Sequence, residues 1–163
     1  MKELLDQYAR YNVWAHKKLL ELINTLNIEQ QHQEVASSFN SLYKTVFHVW
    51  GAETVWWRRL NKENSFIAGD PFNGSMINLS AGLEQLDAQC MNWVLGSDEN
   101  GLKEKIAYNN SKGEKFDQPI NKLLLQLFNH NTYHNGQIVT MLRQLEVEKI
   151  PQTDFITWTR EQL

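Results

Sequence analysis

His130 and His134 stand four residues apart in the run Leu127-Phe128-Asn129-His130-Asn131-Thr132-Tyr133-His134-Asn135-Gly136-Gln137. On a helix, residues so spaced are neighbours with Cβ atoms about 5–6 Å apart, close enough for two imidazoles to share one metal ion. The apolar residues around them are Ile120, Leu123, Leu124, Leu127, Ile138, Met141, Leu142 and Leu145. At roughly 100° per residue these form one stripe, with His134 near its middle and His130 on its flank. Titratable rings facing a core are costly unless something satisfies them. A shared metal would do so, and so would a hydrogen bond from each ring to a neighbour. A third histidine, His48, lies in another helical stretch among Ser41, Thr45, Ala52 and Val55, with Gly51 adjacent. Such small residues leave room for a pocket, and equally suit a closely packed helix. Three imidazoles with an open fourth position make a catalytic type of site, because structural zinc sites are usually closed by four protein ligands. Ligation needs neutral rings, so metal held this way is expected to leave as the pH falls below roughly 6.

The same stretch excludes one chemistry. In His-Glu-x-x-His metalloproteases the residue after the first histidine is the glutamate that serves as general base. Here it is Asn131, which takes no proton, and no other residue is identifiable as a base. Cys90 falls on an apolar helical stripe without cationic neighbours, which reads as a small core residue rather than a reactive thiol. Trp56-Trp57-Arg58-Arg59 suggests base stacking and phosphate contacts. Arginines closing a helix and complementing its dipole, with tryptophans continuing the apolar side, account for it better.

The elements that must position these groups are helical. A first helix is expected from about 2 to 26, with Leu4, Tyr8, Ala15, Leu19, Leu22 and Leu26 as its stripe. Asn12 lies close to that stripe's centre, either as a structural hydrogen-bonding group or as part of a polar pocket. His16 sits at its edge beside Lys17 and Lys18 and reads as solvated, and His32 reads as an exposed loop residue. Ser37, Ser38 and Asn40 offer caps for a second helix running to about Asn61. Leu42, Val46, Val49, Trp56 and Leu60 form one side of it, extended by Tyr43, Trp50 and Trp57. Such an all-round apolar helix should be central or contribute to a subunit interface. Residues 62–79, with Gly69-Asp70-Pro71 and Asn73-Gly74, read as a loop, and Ser80 as the N-cap of a third helix to about Leu95. A small hairpin from about Leu102 to Phe116 should precede the fourth long helix, whose first turn would take Pro119 and which would reach about Glu146. A short closing helix is expected over Asp154–Glu161. These features give an all-α, four-helix bundle in a single domain spanning 1–163.

Composition bounds the function. Sixteen basic and nineteen acidic residues give a net charge of −3 without a basic stripe, which argues against nucleic-acid binding. No segment approaches the ~18 uncharged apolar residues of a transmembrane helix. The single cysteine fits a reducing compartment, and a cytoplasmic protein is expected.

Tyr11-Asn12-Val13-Trp14-Ala15, His48 with Trp50, the Asn129–Gln137 motif and Pro151-Gln152-Thr153-Asp154 together resemble the DinB/YfiT-like superfamily, on the DinB side. The resemblance runs in order along nearly the whole chain. It implies an up-down-down-up four-helix bundle, often a homodimer, with a divalent metal, nickel or zinc, held by His48, His130 and His134. It also implies thiol-dependent transferase or isomerase chemistry with low-molecular-weight thiols. The leading expectation is a metal-dependent enzyme, a thiol S-transferase acting on a small-molecule thiol or electrophile, or a hydrolase-like protein. The alternative is a non-enzymatic, dimeric metal-binding or stress-related helical protein. Asn135 and Glu146 depart from the family, standing where an arginine and a helix-ending glycine are common.

Overall fold

The computed structural model describes residues 1–63 and 74–163. The long helices are α1 (Lys2–Thr25), α3 (Leu42–Leu60), α4 (Met76–Gly96) and α5 (Ile120–Gln144), with short helices α2 (Ile28–His32) and α6 (Phe155–Glu161). Strands β1 (Lys105–Asn109) and β2 (Lys115–Pro119) pair antiparallel immediately before α5. Among the described residues no helix is long and apolar enough to cross a membrane.

Each long helix packs mainly on two others, giving the ring α1–α4–α3–α5. The consecutive long helices α1 and α3 therefore face each other across the bundle. One core cluster joins Leu19, Ile23, Leu42, Val46, Leu79, Met141 and Leu142. A second, around Leu5, Cys90, Val94, Leu124 and Leu127, continues under the hairpin through Leu102 and Ile106. Trp50 lies so close to α4 that a Cβ on Gly82 would meet its Nε1 at 3.2 Å, so a glycine is what lets α3 and α4 approach there.

The helix ends differ from the sequence expectations in instructive ways. The Ser41 side chain caps α3 by accepting from Lys44 N, in place of Ser37, Ser38 or Asn40. α4 starts earlier than Ser80, because Ser75 caps it and Met76 and Leu79 extend the buried stripe one turn further back. Ser80 is instead buried, with its hydroxyl donating to Asn24 Oδ1. The segment around His32 holds α2, opened by an Asn27–Gln30 capping box. His32 is exposed as expected, but ends that helix with its ring stacked on Tyr43. Pro119 is the last residue of β2 and the N-cap of α5, one position before the helix. Gly69-Asp70-Pro71 and Asn73 lie outside the described residues. Arg59, expected only to complement a dipole, packs over the Trp56 and Tyr108 rings at 4.4 and 4.3 Å and donates to Asn109 O, tying α3 to the hairpin.

α5 ends at Gln144 rather than Glu146. Glu146 N donates to Arg143 O and Val147 N to Leu142 O, with Glu146 at φ +59°. This is a Schellman termination with a side chain at the left-handed position that glycine usually fills. Glu146 is exposed, so Glu146→Gly is expected to raise stability by about 1 kcal/mol. Urea denaturation checks this, and a fall in the midpoint would show that the glutamate side chain makes a contribution of its own.

Candidate metal centre

α3 and α5 are neighbours in the ring, and their mid-sections carry the histidines to one place. His130 Nε2 lies 3.1 Å from His48 Nε2 and 3.1 Å from His134 Nε2. One donor atom from each ring lies within 4.8 Å of the others. Periodicity puts His130 and His134 side by side, but only the packing of α3 on α5 delivers His48 to them. With metal–nitrogen bonds of about 2.0–2.1 Å, two ligands of a tetrahedral ion stand about 3.3 Å apart, so the spacing fits three lone pairs aimed at one small cation.

The surroundings orient two of the three rings. His134 Nδ1 is 2.8 Å from Gln137 Oε1, which assigns the proton to Nδ1 and leaves the Nε2 lone pair facing the other rings. The Gln137 amide nitrogen in turn donates to Ser38 Oγ and Tyr133 Oη, so that orienting carbonyl is itself held. This is the arrangement that keeps a ligating imidazole in one tautomer. Phe39 stacks on His48 with centroids 4.0 Å apart. His130 Nδ1 is buried and has no hydrogen-bond partner among the described residues. Burial first, and then the His134 and His130 rings beside it, push the His48 pKa down to about 4. Burial likewise lowers the pKa values of His130 and His134. All three rings are therefore neutral at pH 7, the form a metal ligand needs. An open surface cleft of about 470 Å³, lined by Gln126, Asn129, His130, Thr132 and Tyr133, borders His130.

Cys90 of α4 is core, as its spacing indicates. Cys90 is 5% exposed, and burial, with the charges of Glu53 and Asp87 adding to it, raises its thiol pKa well above the ordinary value. His16 corrects the expectation of a solvated ring. It is 2% exposed, because Asp87 of α4 meets its Nδ1 at 2.9 Å. Asn12 resolves as a hub, donating to Asp87 at 2.7 Å and Glu53 at 3.4 Å and accepting from Asn131 at 3.0 Å. Sequence reasoning misses Gln137, Phe39, Glu53 and Asp87. Gln137 carries a signal, its i+3 spacing from His134. The other three are recognisable only from packing.

The DinB family profile matches residues 1–162. The chain belongs to the DinB family. This DinB-family chain is 26% identical over 173 residues to Protein DinB of Bacillus subtilis (strain 168), covering 95% of this chain and 93% of that protein. Among solved structures, a DinB-like protein from Bacillus cereus ATCC 10987 superposes with a TM-score of 0.66 at 18% identity, covering 89% of this chain and 94% of that one. YfiT from Bacillus subtilis gives a TM-score of 0.67 at 14% identity, covering 91% of each chain. YfiT is described as a probable metal-dependent hydrolase with an unusual four-helix bundle topology. At these identities the structural likeness establishes the shared bundle.

Proposed function

We propose that this DinB-family chain is a divalent-metal-dependent enzyme whose metal is held by His48, His130 and His134. The observation that carries the reading is the convergence of three Nε2 atoms at 3.1 Å spacings around His130. The description of YfiT as a probable metal-dependent hydrolase supports the same class. Nickel or zinc suits three imidazoles, and bound there it would lower the pKa of a coordinated water or thiol. The chain's own contributions are orientation and access. Gln137 holds the His134 tautomer, Phe39 backs the His48 ring, and the cleft beside His130 offers Asn129, Thr132 and Tyr133 as hydrogen-bonding groups for a small substrate. Hydrolysis, or transfer of a low-molecular-weight thiol to an electrophile, is the reaction class proposed. A homodimer belongs to this reading, supported by the half-buried Phe47 and Trp57 on α3.

The deciding experiment is metal analysis. Wild type and His134→Ala are loaded with nickel or zinc, dialysed and assayed for bound metal. Wild type should retain about one ion per chain, since structural zinc is held with about 10–16 kcal/mol, and the variant should retain little. Equal retention by the two proteins rejects the site. Loaded wild type is then offered common cellular thiols with an electrophile, and ester or amide substrates, to choose between the reaction classes.

A further inference from the structure

Beneath the histidines lies a second cluster of metal-ligating side chains, His16 of α1, Glu53 of α3 and Asp87 of α4. One donor atom from each lies within 4.8 Å of the others, and none of the three residues is more than 2% exposed. Asp87 accepts from Asn12 Nδ2 and meets His16 Nδ1. Glu53 Oε1 accepts from Asn12 and Asn131. Among the described residues neither carboxylate pairs with a lysine or arginine.

Burial, and then the Asp87 charge beside it, hold the Glu53 carboxyl well above the ordinary carboxylate range, because two ionised carboxylates facing one histidine in a dry interior would cost several kcal/mol or more. Two buried oxygen atoms here also lack a hydrogen-bond partner among the described residues: Glu53 Oε2 and, from outside the charged set, Asn131 Oδ1. Asn131 is fully buried and its amide nitrogen already touches Glu53 and Asn12, so its orphaned oxygen belongs to the same polar chamber. A single proton on Glu53 would satisfy one carboxylate oxygen and leave the amide oxygen alone. A cation takes lone pairs from several oxygens together. The 2.9 Å between His16 Nδ1 and Asp87 Oδ2 matches an octahedral edge, which is about 3.0 Å at metal–ligand bonds of about 2.1 Å.

We infer that His16, Glu53 and Asp87 form a second divalent-cation site, separate from the three histidines. One imidazole with carboxylate and amide oxygens is a harder donor set than three imidazoles, and selects a manganese- or magnesium-type ion where the histidines select nickel or zinc. Its ligands come from three helices and, through Asn131, touch the fourth. The bound ion would therefore brace the bundle one to two turns along α3 from His48. The two sites share no ligand, so one can fail without the other.

The test uses Mn²⁺ as the probe. Full-length protein is stripped with chelator, preloaded with one equivalent of Zn²⁺ and titrated with Mn²⁺, with bound ion followed by electron paramagnetic resonance. Wild type and His134→Ala should each take up Mn²⁺ with nitrogen coupling from one imidazole, and their melting temperature should rise. Glu53→Gln and Asp87→Asn keep the side-chain shape and should bind at least about tenfold more weakly, the lower range of the loss seen even for groups outside the ligand shell. Folding of the variants is checked by circular dichroism. If they do not fold, the wild-type spectrum still decides, because one coupled imidazole supports the site and several place the ion on His48, His130 and His134. No Mn²⁺ uptake by wild type, or uptake abolished by His134→Ala, overturns the inference and leaves a proton as the balancing charge.

Discussion

Asn12→Ala should be among the most destabilising single substitutions in this chain, at about 3–5 kcal/mol, because a hydrogen bond to a charged carboxylate such as Asp87 contributes about 1.5–3 kcal/mol and each buried polar partner left unsatisfied costs about 1–3 kcal/mol. The Asn12 amide nitrogen donates to Asp87 and Glu53, and its oxygen accepts from Asn131. One side chain on α1 thus links α4, α3 and α5. Alanine would leave both carboxylates with fewer donors in an interior that no water reaches easily, and Asn131 would lose an acceptor. For a chain of this size about 1 kcal/mol shifts the melting temperature by about 2–4 °C, so a fall on the order of 10 °C is expected. Calorimetry together with urea denaturation measures it. A change under about 1 kcal/mol, the ordinary scale for a solvated site, would mean that the network is not formed in solution.

His130→Ala should remove the most metal affinity of any single change at the histidine site. Its Nε2 is the atom that both other rings face at 3.1 Å. If the 10–16 kcal/mol of a four-ligand zinc site is shared among its ligands, one imidazole carries about 3 kcal/mol, or roughly a hundredfold in Kd. The pH dependence follows from the same burial. His48 titrates near 4 in the folded, metal-free protein against an ordinary 6.5, so protons compete weakly for its lone pair until the pH is well below 6. Release of metal is therefore expected nearer pH 4 than the pH 6 that unperturbed imidazoles suggest. In the metal-free protein the depressed pKa values contribute stability that is full above pH 6.5 and declines as the pH falls toward 4, a window in which the unfolded chain binds protons that the folded site refuses. Metal content after dialysis across this range, and metal-free melting temperatures over the same buffers, read both effects. Release already complete at pH 6.5 would contradict the burial that lowers these pKa values.

What could be read in the sequence follows from the range over which each signal acts. The α5 stripe, the hairpin and the closing helix α6 are local patterns of apolar spacing and turn residues, whereas the expected α1 stripe is a residue out of phase: Leu4 is exposed, and Leu5, Ala9, Leu20 and Ile23 join Ala15 and Leu19 on the core face. The His130–His134 pair is local too, since one helical turn fixes it. His48 belongs to a different order of information, because its distance from His130 depends on which helices adjoin in the ring. Its assignment came from family resemblance and small neighbours. The buried polar cluster was the least legible part. His16 lies one turn beyond Asn12 on the same face, yet beside Lys17 and Lys18 it looks like the margin of the stripe. Glu53 is hidden within a helix apolar on nearly every side, and Asp87 within the leucine stripe of α4. Each residue makes sense only with partners on other helices. Ser75 and Ser80 show the limit of capping signals. Both precede apolar runs, and only the buried Asn24–Ser80 hydrogen bond tells the cap from the core serine.

The burial of Cys90 also bears on where sulfur would come from. The side chain is 5% exposed and its pKa is raised, so at neutral pH it is neither ionised nor accessible. This chain carries no other cysteine. On the proposed thiol-transfer reading there would be no protein-bound sulfur intermediate, and any thiol consumed would arrive as a diffusible co-substrate. Mild thiol oxidants in the surrounding fluid would act on the supply of that co-substrate while leaving the folded chain intact.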